Sequence, residues 1–140
     1  MAAAAAGTPA RQASVLDEST DRVRFEGDEG LDELSLAAGN EMADVTGDSN
    51  IDLIVGVPGE SIATRPDAGA VAIFKSVGGR ITTAEDQLFY ANQSIFTGES
   101  EANAEFGTWF SVLNGNLIIG SPGRTVSGRA NAGAIYYLDL

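Results

Sequence analysis

Residues 53–76 read LIVGVPGESIATRPDAGAVAIFKS, and residues 117–140 read LIIGSPGRTVSGRANAGAIYYLDL. The two stretches align without a gap and share nine of 24 positions, more than two independent hairpins would share by chance. Among the shared positions are Gly56/Gly120, Pro58/Pro122, Gly59/Gly123, Arg65/Arg129 and the triplets Ala68-Gly69-Ala70/Ala132-Gly133-Ala134. Upstream, Phe25-Glu26-Gly27 matches Phe96-Thr97-Gly98. A unit recurring at roughly 65 to 70 residues, built of short apolar runs with Gly/Pro stops, predicts a β-propeller or another β-repeat array. Within the first unit, 53–57 is a continuous apolar strand stopped by Pro58-Gly59. Residues 60–68 form a polar loop, 69–74 is the next strand, closed by Gly78-Gly79, and 88–97 supplies another.

Immediately before the first unit lies Asp44-Val45-Thr46-Gly47-Asp48-Ser49-Asn50-Ile51-Asp52. Oxygen-bearing side chains fall at positions 1, 3, 5 and 9 through Asp44, Thr46, Asp48 and Asp52, and the Asn50 carbonyl can serve position 7. A hard cation such as Ca²⁺ takes six to eight oxygens, and odd-numbered spacing lets a tight loop turn them inward. Gly47 and Ser49-Asn50 give the backbone freedom that such a curl needs. The plain alternative is a solvated acidic turn. Three carboxylates packed this tightly would repel one another without a cation, which favours a calcium loop.

The second unit differs at the same place. Asn114-Gly115 separates two apolar runs, the strongest short hairpin signal, because both residues tolerate positive φ. A two-residue turn there replaces the aspartate loop, so one calcium site is expected.

Composition narrows the chemistry. Lys and Arg number 8 against 20 Asp and Glu, a formal charge of −12, so no basic patch is on hand to neutralise nucleic-acid phosphates. Cysteine is absent, which removes disulfides, thiol catalysis and thiolate metal sites. Histidine is absent too, which removes the commonest general base and any Ser-His-Asp arrangement. No apolar run approaches the roughly 20 residues needed to span a bilayer. The opening Met1-Ala2-Ala3-Ala4-Ala5-Ala6 lacks a basic n-region and a long apolar core and makes a poor signal peptide. Residues 1–21 read as a flexible Ala/Ser-rich leader with a short helical turn around Val15-Leu16-Asp17-Glu18. Val23-Arg24-Phe25-Glu26-Gly27 reads as a short strand.

These residues resemble the FG-GAP repeats of integrin α-subunit propellers and their bacterial relatives. Phe106-Gly107 stands for the first element of the motif, and Gly56-Val57-Pro58 and Gly120-Ser121-Pro122 for the second. The 44–52 loop matches the family's Asp-x-Asx-Gly-Asp-x-x-x-Asp pattern, with Thr46 where Asn or Asp is usual. Leu36-Ala37 stands where repeat one would carry Phe-Gly. The resemblance covers about residues 22–140. It implies an all-β fold of two antiparallel four-stranded β-propeller blades, circularly permuted, and completed by oligomerisation or by a larger chain. Blade one, about 34–97, would use 34–43, 52–58, 69–75 and 87–97. Blade two, about 106–140, would use 106–113, 116–121 and 133–139, with 22–27 as its outer strand. It implies Ca²⁺ on Asp44, Thr46, Asp48, Asn50 and Asp52.

Two blades cannot close a ring and leave unpaired edges. The expectation is a homo-oligomer or filament, with strand 22–27 of one copy completing blade two of the next, or attachment to another protein. The functional expectation is a non-enzymatic, calcium-binding module for protein interaction, adhesion or structural self-assembly, outside the cell or at its surface. A carbohydrate-binding alternative uses Trp109, Phe110, Tyr136 and Tyr137 as a platform for sugar rings, although strand-borne aromatics more often pack between sheets. Another alternative is an accessory fragment of a polysaccharide- or lipid-degrading enzyme. Asp28, Glu29, Asp32 and Glu33 are weak acid/base candidates on a glycine-punctuated loop. Arg65 and Arg129 hold equivalent positions and can bridge neighbouring carboxylates. Asn92-Gln93-Ser94 has the form of a glycosylation sequon.

Overall fold

The structure, a computed structural model, describes residues 15–17, 22–24, 42–82, 86–91 and 100–140, the first two segments by their backbone alone. The chain is all-β: there is no helix among the described residues, and every sheet is antiparallel.

Strand β1 (Val15–Asp17) pairs with β2 (Arg22–Arg24), Leu16 opposite Val23. The helical turn expected at Val15 is therefore a strand, since an isolated turn of helix fixes several dihedrals for one hydrogen bond whereas a ladder pairs each residue. The β1–β2 pairing forms a two-stranded sheet within one chain, whereas the expected completion of the second unit by strand 22–27 is between copies.

A four-stranded sheet follows in the order β3 (Met42–Ala43), β4 (Asp52–Val57), β5 (Ala70–Phe74) and β8 (Gln87–Phe89). Between β5 and β8 the chain makes a small hairpin, β6 (Ser76–Val77) and β7 (Arg80–Ile81), over Gly78-Gly79, whose φ values of 59° and 79° suit a two-residue hairpin turn. The sequence reading took Gly78-Gly79 only as a stop. The second sheet has three strands, β9 (Trp109–Leu113), β10 (Asn116–Ser121) and β11 (Ala134–Leu138), with β10 central. Asn114 and Gly115, at φ 53° and 81°, make the tight β9–β10 turn that their sequence predicts. Most of the expected strand 34–43, the stretch 92–97 and strand residues 25–27 lie outside the described residues.

Burial distinguishes the two sheets. Every residue of β5 is buried, as its unbroken apolar run requires of a strand covered on both faces. Strands β9 and β11 alternate between buried and open positions, as in a sheet covered on one face. The main core forms where Ile54, Val71, Ile73 and Phe89 of the first sheet meet Phe110, Leu117, Ile119 and Leu138 of the second. Val55, Ala72 and Phe74, on the opposite face of the first sheet, form a smaller cluster with Leu53, Ile81 and Leu88 packed against it.

The seam between the sheets is built by Phe106-Gly107. The sequence reading starts the inner strand at residue 106, but β9 begins at Trp109. Phe106 instead bridges Gly69 in parallel, donating its N–H to the Ala68 carbonyl at 3.0 Å, while Gly107 donates to Gly120 at 3.0 Å. The ring of Phe106 is fully buried and meets Tyr136 edge-on, centroids 5.0 Å apart. Backbones approach so closely that a Cβ on Gly69 would lie 2.2 Å from the Phe106 carbonyl oxygen. Only glycine fits there.

The internal repeat is written into the backbone as well as the sequence. Ala63, Asp67 and Gly69 have positive φ, and so do Ser127, Asn131 and Gly133, each 64 residues on. The Ile62–Arg65 bridge recurs as Val126–Arg129, and the Gly69 N–H to Glu60 carbonyl bond recurs from Gly133 to Arg124, both at 2.9 Å.

Candidate metal centre

Strands β3 and β4 run antiparallel, Ala43 opposite Asp52, so the intervening chain must reverse within eight residues. Asp44 organises that reversal. Its Oδ1 accepts the N–H groups of Gly47 at 2.7 Å and Asp48 at 3.2 Å, and its Oδ2 accepts that of Ser49 at 2.8 Å. Asp and Asn favour such self-closing turns because their short side chains reach the backbone ahead of them. Gly47 and Ser49 take positive φ, 75° and 67°, and a Cβ on Gly47 would meet nothing, so the glycine serves the dihedral alone.

Asp48, farther round the loop, accepts the Asn50 N–H at 2.8 Å, and the Asn50 amide donates back to the Asp48 carbonyl at 3.4 Å. The Asn50 N–H holds the Asp48 carboxyl below the ordinary aspartate value, against a smaller opposing effect of burial and helped by the Lys75 charge. Asp52 opens β4 and is wholly buried. Its two oxygens accept the Val45 N–H at 3.2 Å and the Ser76 N–H at 3.1 Å, tying the loop to both its own start and β6.

This folding brings carboxylate oxygens of Asp44, Asp48 and Asp52 within 4.8 Å of one another. Two oxygens sharing a calcium ion at about 2.4 Å lie no more than about 4.8 Å apart, so the spacing fits a single coordination sphere. The Thr46 hydroxyl oxygen is buried without a hydrogen-bond partner; it lies near enough to Asp48 to favour its charge but lacks hydrogen-bond geometry. The donor set is all oxygen, which suits a hard cation such as Ca²⁺ or Mg²⁺ and not a thiophilic or imidazole-seeking metal. Backbone N–H groups occupy part of each carboxylate, but each oxygen carries two acceptor positions, and coordination can use the second.

Of the five residues expected to ligate, the structure thus gathers three carboxylates, adds an unpartnered Thr46 hydroxyl, and turns the Asn50 side chain back onto the loop. The other sites named from the sequence divide differently. The aromatic platform is split: Phe110 is buried in the core and Tyr136 packs against it, while Trp109 and Tyr137 stand exposed on the opposite face of the second sheet. Alternation along a strand forbids consecutive residues from sharing a face. Arg65 and Arg129 form no ion pair among the described residues; their shared role is the backbone bridge described above. Arg124 does form an ion pair, its Nη1 lying 3.0 Å from Glu101, and Glu101 also accepts the Thr125 N–H at 3.0 Å. Nothing local in the sequence marks Glu101 for this. Asp28, Glu29, Asp32, Glu33 and the Asn92-Gln93-Ser94 sequon lie outside the described residues.

Among the described residues no helix is long and apolar enough to cross a membrane. Comparison of the chain with protein-family models, with curated proteins and with solved structures returns no match.

Proposed function

We propose that the chain is a non-enzymatic β-repeat module for protein interaction or structural assembly, in which the 44–52 loop takes one Ca²⁺ ion. The observation that carries this reading is the convergence of Asp44, Asp48 and Asp52 at the junction of β3, β4 and β6. The resemblance of the loop and of the Gly-x-Pro strands to FG-GAP repeats supports the choice of calcium and a propeller-type arrangement. The cation would neutralise three carboxylates whose mutual repulsion otherwise opposes the tight loop. Binding only to the folded chain, it would stabilise that chain by mass action, by about 2.7 kcal/mol at a hundredfold excess over Kd. The ion supplies charge and rigidity. Asp52, held by N–H groups of Val45 and Ser76, transmits that rigidity into two strands. The reading places the module outside the cell or at its surface, where free calcium is abundant enough to fill such a loop.

Isothermal calorimetry with calcium, repeated with magnesium, tests the reading. One site per chain is expected, weakened by about tenfold or more in Asp48→Asn, whose exposed side chain can be changed without disturbing the core. Absence of heat together with an unfolding temperature indifferent to millimolar calcium would overturn it.

A further inference from the structure

The repeat makes the two sheets comparable position by position, and one comparison is lopsided. In the first sheet, Ile54, Gly56, Val71 and Ile73 form the face that receives the second sheet; Val71 and Ile73 are 0% exposed. Their counterparts 64 residues on are Ile118, Gly120, Ile135 and Tyr137. Here Ile135 is 69% exposed and Tyr137 57% exposed. Trp109, 52% exposed, lies across Gly120, where a Cβ would come within 2.6 Å of the indole, and Leu113 ends the same face. The sheet therefore repeats an interface that no other described strand covers.

We propose that this open face is a homotypic docking surface, on which two copies of the chain pack their β9–β10–β11 sheets against each other about a two-fold axis. The inference rests on the interaction-module reading and names its partner. Three observations choose the occupant. The equivalent face in the first unit is covered by an apolar sheet bearing Phe110, Leu117, Ile119 and Leu138, so the cover it suits is a sheet of aromatic and branched side chains. The open face is itself such a sheet, with Trp109, Leu113, Ile118, Ile135 and Tyr137. Strands β9, β10 and β11 contain no charged residue, so two copies meet without burying a charge despite the −12 on each chain. A head-to-tail stack would need the opposite face of the first sheet, but Val55, Ala72 and Phe74 are already at most 5% exposed within the chain. The self-matching contact is what remains, and isologous pairing is the commonest way soluble chains associate. Face-to-face sheets stand about 10 Å apart, within reach of interdigitating side chains of this size.

Trp109 is the sole tryptophan, so its emission reports on this face alone. Sedimentation of the full chain across a concentration series, in calcium and again in chelator, should show a reversible monomer–dimer equilibrium, with tryptophan emission moving to the blue as dimer forms. Ile135→Lys and Tyr137→Lys, both at exposed positions, should each raise the dimer dissociation constant by about tenfold or more, while leaving unchanged the calcium heat and the unfolding midpoint read at concentrations where the chain is monomeric. A chain that stays monomeric at every concentration, an open-ended series of larger species, or a dimer indifferent to both lysines would each overturn the proposal. Because calcium heat is read on the same samples, loss of dimer with calcium binding intact separates failure of this inference from failure of the metal reading.

Discussion

Asp52 is the residue at which structure and charge pull in opposite directions, and Asp52→Asn measures which prevails. The carboxylate is wholly buried and accepts two backbone N–H groups, from Val45 and Ser76. A carboxamide has one acceptor oxygen, so one of these donors would face an NH₂ group. An unmet buried donor costs about 1–3 kcal/mol, and losing charge assistance on the surviving bond costs about 1 more, giving about 2–4 kcal/mol. Against this, the substitution removes one of three carboxylates lying within 4.8 Å of each other. Asp48 is exposed and Asp44 half-buried, so solvent reaches one side of each like-charge pair; under water-like screening each repels by about 1 kcal/mol at that range, and relief returns about 1–2 kcal/mol when no cation is bound. Hydrogen bonds win, and the net loss in chelator is about 1–2 kcal/mol. With a urea m-value near 2 kcal/mol/M, the unfolding midpoint should fall by about 0.5–1 M. Salt adds a second reading. Raising ionic strength screens the repulsion and not the buried bonds, so the deficit of Asp52→Asn relative to wild type should widen. A variant in chelator that equals or exceeds wild type in stability would refute the reasoning and show that repulsion governs the loop.

Two further substitutions probe the seam and the surface. Gly69→Ala drives a Cβ into the Phe106 carbonyl at φ +85°, and should cost well over 2 kcal/mol in urea unfolding, whereas Gly128→Ala, at φ +77° with open space around it, should cost only about 1 kcal/mol. Glu101 titrates below the ordinary glutamate value because of its bonds to Thr125 and the nearby Arg124 charge. A carboxyl with a depressed folded value lends stability above about pH 4.3 and loses it as pH falls through the folded value, so Glu101→Gln should remove a small part, under about 1 kcal/mol, of the acid sensitivity of the unfolding curve.

Much of this arrangement was legible in the chain. Local signals survive because they depend on near neighbours: Asn114-Gly115 must turn, the apolar run 70–74 must be doubly covered, and aspartates at odd spacing must converge when the loop between β3 and β4 closes. What was not legible depends on who meets whom at long range. Phe106-Gly107 reads as the start of the inner strand because the FG-GAP resemblance implies it, but the close approach of Gly69 captures it as a bridge between sheets. The partner of Asp52 in β6 is 24 residues away, and no periodicity announces it. Gly78-Gly79 carried a turn signal for a hairpin whose arms, two residues each, are too short to show an alternation. The four aromatics named from the sequence divide between two faces for a geometric reason that the sequence did contain, since adjacent strand residues point to opposite sides.

Strand β11 has β10 on one side and no neighbour on the other among the described residues. Its five residues, Ala134–Leu138, contain no charge, no proline and no glycine to blunt that edge. At neutral pH the surplus of acidic groups slows and weakens open-ended pairing along this edge, without barring the charge-free face-to-face contact of two copies. Near the sequence pI of about 4.1 that restraint is released while the edge stays as it was. The colloidal behaviour of this protein should thus follow acidity, with turbidity expected to stay low at neutral pH and to rise as the medium is acidified toward pH 4.1.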